Sequence, residues 1–274
     1  MRAFFILCAL LFGFLHSATI ASADTINVSA AASLKDVLTD LAAQHKTAQG
    51  GGGGDEVSFT FGASGQLATM IQDGAPVDLF ISAAGKQVDD LVQAGIADPA
   101  TRRIIAGNTL VLIVPAGDKN APASFADLAD ARFPKIAIGN PPSVPAGDYA
   151  LQTLTALHLA DKLADRLIFG TNVRQVLAYV EDADVSAGIV YATDAKESGD
   201  KVKVIATADE KLHAPIIYPA VLLKSAKNKA TAASFLDFLV SAQAAKAFAA
   251  KGFLVPRAAA SAPATATAPG APAP

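Results

Sequence analysis

Apolar residues in the central part of the chain follow two alternating patterns, one typical of buried strands and one typical of helices. The first helical stretch places its apolar residues on one face at the i, i+3, i+4, i+7 spacing: Leu34, Val37, Leu38 and Leu41. Short apolar runs predict strands at residues 25–28, 57–61, 79–81, 110–114, 136–138 and 188–191, with a further run at 216–223 that Pro219 breaks. A last helix is predicted over residues 231–251. This alternation predicts an α/β protein with mostly parallel sheets covered by helices.

The order of the elements predicts two lobes. We expect lobe 1 to begin with residues 24–107, lobe 2 to span residues 108–219, and residues 220–257 to return to lobe 1 with the C-terminal helix. Two extended crossover strands, near residues 108–111 and 218–221, would join the lobes. A ligand is then expected between the lobes, beyond the carboxyl ends of the strands.

Both ends of the chain differ from the middle. Residues 1–23 combine a charged start, an apolar run too short to span a membrane and a small-residue cleavage signature, which predicts a secretory signal peptide and an extracytoplasmic protein. The only cysteine, Cys8, lies within this segment, so the mature chain would have no thiol, disulfide or lipid anchor. Residues 258–274 contain only Ala, Ser, Thr, Gly and Pro and predict a disordered tail. The glycine run at residues 50–54 is interpreted as a flexible loop rather than a phosphate-binding loop, because no Lys-Ser/Thr pair follows it.

The charge of the chain limits its partners. Removal of residues 1–23 takes away one basic residue of 22 and none of the 25 acidic ones, which leaves a formal net charge of −4. Such a chain has no global electrostatic attraction for nucleic acid or for an anionic membrane. Any anion that it binds must be attracted locally.

Three segments at predicted strand-to-helix junctions offer that local attraction. They are Ala31-Ala32-Ser33-Leu34, Gly62-Ala63-Ser64-Gly65 and Val144-Pro145-Ala146-Gly147. Each would present backbone N–H groups and small side chains at the start of a helix, and none contains a group suited to catalysis. This pattern indicates a site that holds an anion without reacting with it.

These segments belong to a set of motifs that resembles a known family. The set also contains Gly74-Ala75-Pro76-Val77-Asp78-Leu79-Phe80-Ile81-Ser82, Asn172-Val173-Arg174 and Gly188-Ile189-Val190-Tyr191. In this order the motifs resemble the periplasmic molybdate-binding proteins of ABC importers, which have the two-lobed type II periplasmic binding protein fold. The resemblance implies a molybdate or tungstate ligand, a membrane permease as transient partner, a monomer and no cofactor. It also maps an oxyanion site, without direct metal ligands, onto Ser33, Ser64, Ala146, Val173 and Tyr191.

The local chemistry of these positions leaves alternatives open. Ser33 and Ser64 could be ordinary helix caps, Val173 could simply be buried, and the Tyr191 hydroxyl could donate to a backbone carbonyl. A site made only of donors would select fully deprotonated tetrahedral oxyanions and reject hydrogen phosphate, whose own O–H would meet no acceptor. Asp148, one turn from the Ala146 amide, must face away from such a site or it would oppose the anion.

Other functions have weaker support. A receptor for sulfate or another oxyanion is the nearest alternative, and a secreted serine hydrolase is a remote one. The segment around Ser64 lacks the G-x-S-x-G elbow, and Ser198 and Lys201 match S-x-x-K without its companion motifs. His45, His158 and His213 are separated from one another and from any cysteine, so we expect surface positions for them and no metal site. We therefore predict a binding protein and not an enzyme.

Overall fold

The computed structural model describes residues 25–49 and 55–256. The predicted signal peptide, the glycine run at residues 50–54 and the predicted tail all lie outside the described residues. Within those residues, no helix combines the length and apolar character that a membrane crossing requires.

Two mixed sheets form the framework of the protein. The first sheet has the strand order β2-β1-β3-β10-β4 and the second has the order β7-β6-β8-β5-β9. The strands of the first sheet are β1 (Thr25–Ala31), β2 (Glu56–Gly62), β3 (Leu79–Ile81), β4 (Arg103–Gly107) and β10 (Ile217–Leu222). Those of the second are β5 (Leu110–Pro115), β6 (Ile136–Gly139), β7 (Leu167–Gly170), β8 (Ala187–Tyr191) and β9 (Val202–Thr207). We call the elements on the first sheet lobe 1 and those on the second lobe 2.

Each sheet contains one strand that runs against the others. Strand β10 is antiparallel to both of its neighbours, β3 and β4, and β5 is antiparallel to β8 and β9. The remaining pairs, such as β1 with β2 and β6 with β7, are parallel. The predicted α/β architecture with mostly parallel sheets is therefore confirmed.

Helices cover both sheets. They are α1 (Lys35–Ala48), α2 (Ser64–Gln72), α3 (Gly85–Gln93), α4 (Pro145–Ala156), α5 (Ala160–Leu163), α6 (Val173–Glu181), α7 (Ala192–Glu197), α8 (Lys229–Leu239) and α9 (Ala242–Lys251). The apolar face predicted for α1 is buried, with Leu34, Val37, Leu38 and Leu41 at most 1% exposed. A 3₁₀ turn, Ala32–Leu34, connects β1 to α1.

The chain passes between the sheets twice. It leaves the first sheet after β4 and enters the second at β5, and it returns between β9 and β10. Strand β10 belongs to the first sheet from Ile217 onward, slightly before the expected return at residue 220. The exact lobe boundaries at residues 107/108 and 219/220 stay a prediction.

The prediction of one continuous last helix over residues 231–251 is wrong. The chain forms α8 and α9 with a break at Val240 and Ser241, and the Ser241 hydroxyl caps α9 by accepting a hydrogen bond from the Ala244 N–H at 3.2 Å. The side-chain oxygen of a serine cap satisfies an N–H group that has no intrahelical partner, so it favours a new helix start at this point.

Pro219 does not end its strand as the sequence suggested. Strand β10 continues through it, and its register with β4 shifts between Tyr218 and Pro219. A bulge of this kind accommodates a residue that has no N–H to donate within a sheet.

His45 also departs from expectation, because it is 6% exposed rather than on the surface. Its ring packs against Phe235 and Phe238, with centroids at 5.4 and 5.0 Å, and one ring nitrogen contacts Gln49 Nε2 at 3.1 Å. Burial lowers the pKa of His45 and so favours the neutral ring, while the charge of Asp55 has a smaller effect that raises the pKa.

Candidate oxyanion site between the lobes

A small cavity lies where the two lobes meet. It is bounded by the carboxyl ends of β1, β2 and β8 and by the first residues of α2, α4 and α6. The lining residues are Ala31, Ala32, Ser33, Gly62, Ala63, Ser64, Ala83, Val144, Pro145, Ala146, Asn172, Val173 and Tyr191. All the site residues predicted from the sequence are therefore brought together around one cavity, two of them from lobe 1 and the others from lobe 2.

The two serines of lobe 1 are not helix caps. Ser33 lies in the 3₁₀ turn after β1, and its Oγ is 3.1 Å from the Tyr218 hydroxyl oxygen. Ser64 is the first residue of α2, and its Oγ accepts a hydrogen bond from the Ala83 N–H at 3.0 Å. Both side chains are buried, at 3% and 1% exposure. Each hydroxyl is thus held at the cavity wall by a contact within its own lobe.

Lobe 2 contributes backbone donors. Pro145 opens α4, as expected from its fixed φ and missing N–H, and Ala146 follows it at the cavity. Val173 opens α6, which Asn172 caps by accepting from the Arg174 and Gln175 N–H groups. Neither the Ala146 N–H nor the Val173 N–H donates to an acceptor within the described part of the chain. The first N–H groups of any helix have no partner within the helix, and a ligand can accept their hydrogen bonds.

The Tyr191 hydroxyl is a buried donor without a partner in the described part of the chain. Tyr191 ends β8, is 1% exposed and lines the cavity. No hydrogen-bond partner for its hydroxyl oxygen exists among the described residues, so the backbone-carbonyl alternative does not apply. Burial, followed by the neighbouring Tyr218, raises the pKa of Tyr191 well above its usual value, and the phenol keeps its proton. An unpartnered buried polar group is costly, and a ligand that accepts its hydrogen bond would remove that cost.

Among the described residues, none that lines the cavity carries a carboxylate, amine, guanidinium or imidazole. Asp148, which was expected to face away from such a site, lies outside the cavity in a surface groove with His213, and its Oδ2 accepts from Gln152 Nε2 at 3.0 Å. The starts of α2, α4 and α6 add the partial positive charge of their dipoles at the cavity. Its electrostatics therefore favour an anion without a fixed countercharge.

Comparison with known proteins agrees with this geometry. Residues 26–254 match the family of bacterial extracellular solute-binding proteins. The chain belongs to this family. It is 39% identical over 239 residues to the molybdate-binding protein ModA of Haemophilus influenzae, an alignment that covers 85% of this chain and 91% of the relative. It is 37% identical over 236 residues to the molybdate-binding protein ModA of Escherichia coli, with 84% and 89% covered.

A solved structure gives the same fold. The periplasmic molybdate-binding protein of Azotobacter vinelandii superposes with a TM-score of 0.75 at 27% identity, covering 85% of this chain and 100% of that one. The two-lobed type II periplasmic binding protein fold predicted from the sequence is thereby confirmed for this solute-binding protein.

The lobes of this solute-binding protein also touch outside the cavity. Arg174, next to the cavity residue Val173, forms an ion pair with Asp36 of lobe 1 at 2.7 Å and another with Asp194 of its own lobe at 2.7 Å. The Gly65 N–H of lobe 1 donates to the Ser143 carbonyl of lobe 2 at 2.9 Å. These contacts describe a closed arrangement of the two lobes.

Sequence reasoning did not assign a role to several of these residues. Arg174 appeared only as part of a motif, and Asp36 is 138 positions away along the chain. Asn108 and Tyr218, which contact each other at 3.0 Å, lie at the two predicted crossings between lobes. Each predicted crossing contains one of these two polar residues, which is the signal that the sequence offered. The structure buries both of them.

The buried carboxyl group of Asp194 makes the stability of the protein depend on pH. Asp194 is 0% exposed, and burial raises its pKa from 3.8 to about 6, although Arg174 acts in the opposite direction. Because the folded state binds this proton more tightly than the unfolded chain, the contribution of Asp194 to stability is fully present below pH 3.8 and is lost as pH rises through about 6. We expect Asp194→Asn to gain stability relative to the wild type as pH rises across this range. Urea unfolding at several pH values measures the difference, and a difference that is independent of pH would contradict the expectation.

Proposed function

We propose that this protein is the substrate-binding component of a molybdate ABC importer. It binds molybdate, and also tungstate, in the cavity between its lobes and delivers the anion to a membrane permease. The observation that carries the proposal is the cavity itself, which has an uncharged lining, donors from both lobes and an unpartnered Tyr191 hydroxyl. The similarity to proteins named for molybdate binding supports this anion over sulfate.

Neutral donors suffice to hold a dianion. Hydrogen bonds to a charged group contribute ~1.5–3 kcal/mol each, because the acceptor is ionised. The hydroxyls of Ser33, Ser64 and Tyr191 and the N–H groups of Ala146 and Val173 together can offset the desolvation of the anion. Submicromolar affinity requires only ~8–10 kcal/mol net.

The same donors define what the site rejects. Hydrogen phosphate would aim its O–H at a group that cannot accept it, since no carboxylate of the described chain lines the cavity. Asp148 does not change this, because it faces the groove with His213. The protein therefore acts as a receptor for fully deprotonated tetrahedral oxyanions, with no catalytic step.

Binding from both lobes couples the ligand to closure. An anion held by donors of only one lobe gains further hydrogen bonds when the other lobe closes on it, which shifts the population towards the closed form. We propose that the closed form is the one that the permease recognises. In this proposal the mature protein is a periplasmic monomer without a cofactor.

Isothermal titration calorimetry with molybdate, tungstate, sulfate and phosphate tests the proposal. We expect one site per chain, submicromolar affinity for molybdate and tungstate, and no heat of phosphate binding in direct titration. Tight sulfate binding with weak molybdate binding would favour the sulfate receptor, and the absence of heat with every oxyanion would reject the function.

Removal of either serine hydroxyl is expected to weaken molybdate binding. Ser33→Ala and Ser64→Ala should each cost ~1.5–3 kcal/mol of binding free energy, or about 10- to 150-fold in Kd. Ser82→Ala is the matched control, because Ser82 is a fully buried serine of lobe 1 that bonds Gln87 and the Ala84 N–H rather than lining the cavity. Wild-type affinity in both cavity variants would contradict the assignment.

A further inference from the structure

A chain of buried hydrogen bonds leads from the crossing between the lobes to the cavity. Asn108 lies between β4 and β5, and Tyr218 lies on β10, where the chain returns to lobe 1. Asn108 Nδ2 donates to Thr193 Oγ1 at 2.8 Å and to the Tyr218 hydroxyl at 3.0 Å, and that hydroxyl is 3.1 Å from Ser33 Oγ. Asn108, Thr193, Tyr218 and Ser33 are each at most 5% exposed.

The directions of the hydrogen bonds that the Asn108 side chain makes are determined. The Thr109 N–H donates to Asn108 Oδ1 at 2.9 Å, and since a backbone N–H can only donate, that atom is the amide oxygen. The other end of the Asn108 side chain is therefore the NH₂ group, which has two hydrogens and two contacts. The Tyr218 oxygen accepts one of these hydrogens.

The orientation of the Asn108 amide favours Tyr218 as the donor to Ser33. The Tyr218 hydroxyl has one hydrogen, and Ser33 Oγ is its other side-chain contact within the described residues. Donation from Tyr218 to Ser33 is the arrangement that gives the Tyr218 hydrogen a partner among the described residues, and it leaves the hydrogen of Ser33 for the cavity. At the second serine, the Ala83 N–H donates to Ser64 Oγ, as Tyr218 does to Ser33. The hydrogen of Ser64 is then also left for the cavity.

We propose that Asn108 and Tyr218 are specificity-determining positioning residues, which hold Ser33 as a donor towards the cavity and so exclude anions that carry a proton. This inference rests on the proposed function. The Tyr191 hydroxyl does not weaken the exclusion. If it accepted a hydrogen bond from an anion instead of donating one, its own hydrogen would have no partner among the described residues. Neither Asn108 nor Tyr218 needs to touch the ligand.

The test compares sulfate with phosphate, which have similar size and shape but differ in protonation. Near pH 8 phosphate is mainly the dianion HPO₄²⁻, so both anions have the same charge. Displacement of bound molybdate by each anion gives the ratio of phosphate Kd to sulfate Kd. In Tyr218→Phe the Ser33 hydroxyl is free to rotate and accept from HPO₄²⁻, and we expect this ratio to fall at least about tenfold.

Tyr149→Phe is the matched control. Tyr149 is also a buried tyrosine, 4% exposed, and its hydroxyl contacts the Pro215 carbonyl at 3.4 Å rather than a cavity residue. We expect the control to leave the ratio unchanged. A general loosening of the structure would lower the affinity for both anions and would not change their ratio.

A second variant keeps the test decisive if Tyr218→Phe does not fold. In Asn108→Asp the carboxylate accepts from Tyr218, which reverses the hydrogen bond to Ser33 and turns Ser33 into an acceptor towards the cavity. The added charge opposes both dianions equally, so the ratio should again fall at least about tenfold. If the wild type discriminates against phosphate and neither folded variant lowers the ratio, the inference is overturned while the proposed function stands. If the wild type binds no oxyanion, both fail.

Discussion

Gly65→Ala is expected to weaken molybdate binding at least about a hundredfold while leaving the ligand-free protein as stable as the wild type. A Cβ atom at position 65 would lie 2.7 Å from both Cα and the carbonyl oxygen of Ser143, on the opposite lobe. Backbone atoms cannot rotate aside, so the lobes must stay further apart. The hydrogen-bond donors of lobe 2 could then not reach an anion that lobe 1 holds.

The ligand-free protein can avoid this clash by opening, because Gly65 and Ser143 belong to different lobes. Alanine is also the better helix former, by roughly 0.5–1 kcal/mol within a helix such as α2. Calorimetry gives the affinity, and small-angle scattering with and without molybdate gives the closure. Gly117→Ala is the matched control, since a Cβ there meets nothing within 4 Å. Wild-type affinity and wild-type compaction in Gly65→Ala would contradict the closure mechanism.

Gly147→Ala is expected to destabilise the folded protein itself, by about 3 kcal/mol. A Cβ atom at this position would lie 1.9 Å from the Gly139 carbonyl oxygen and 2.3 Å from its carbonyl carbon. Both residues belong to lobe 2, at the end of β6 and the start of α4, so no movement of one lobe against the other relieves the overlap. The start of α4 must shift, and the Ala146 N–H shifts with it.

Urea unfolding of the ligand-free protein measures this loss, again with Gly117→Ala as control. The same variant should bind molybdate more weakly, whereas Gly65→Ala should lose affinity without losing stability. An unfolding midpoint equal to that of the wild type would contradict the close contact between β6 and α4 on which this prediction depends.

The sequence predicted the parts of the fold that depend on neighbouring residues. The apolar spacing of α1 and the junctions before Ser64 and Ala146 are local patterns, and the structure has them where they were expected. The contacts that complete the site are between distant residues. Ser33 and Tyr218 are 185 positions apart, and no local pattern indicates that their hydroxyls meet.

The errors have local causes that a periodic pattern does not resolve. The apolar spacing continues from α8 into α9, so it gave no sign of the break that Ser241 caps. Pro219 suggested the end of a strand, but a register shift against β4 accommodates it. Strands β4, β7 and β9 were not predicted. In β9, apolar residues are mixed with lysine and threonine, and half of the positions are exposed, so it has no continuous apolar run.

The central claim is that uncharged groups from the two lobes surround one oxyanion. A crystal structure of the protein grown with tungstate tests it most directly, because the anomalous scattering of tungsten locates the ion independently of its surroundings. We predict one strong anomalous peak in the cavity, with tungstate oxygens within hydrogen-bond distance of Ser33, Ser64, Ala146, Val173 and Tyr191. A peak at any other place, or an empty cavity at saturating tungstate, would contradict the account.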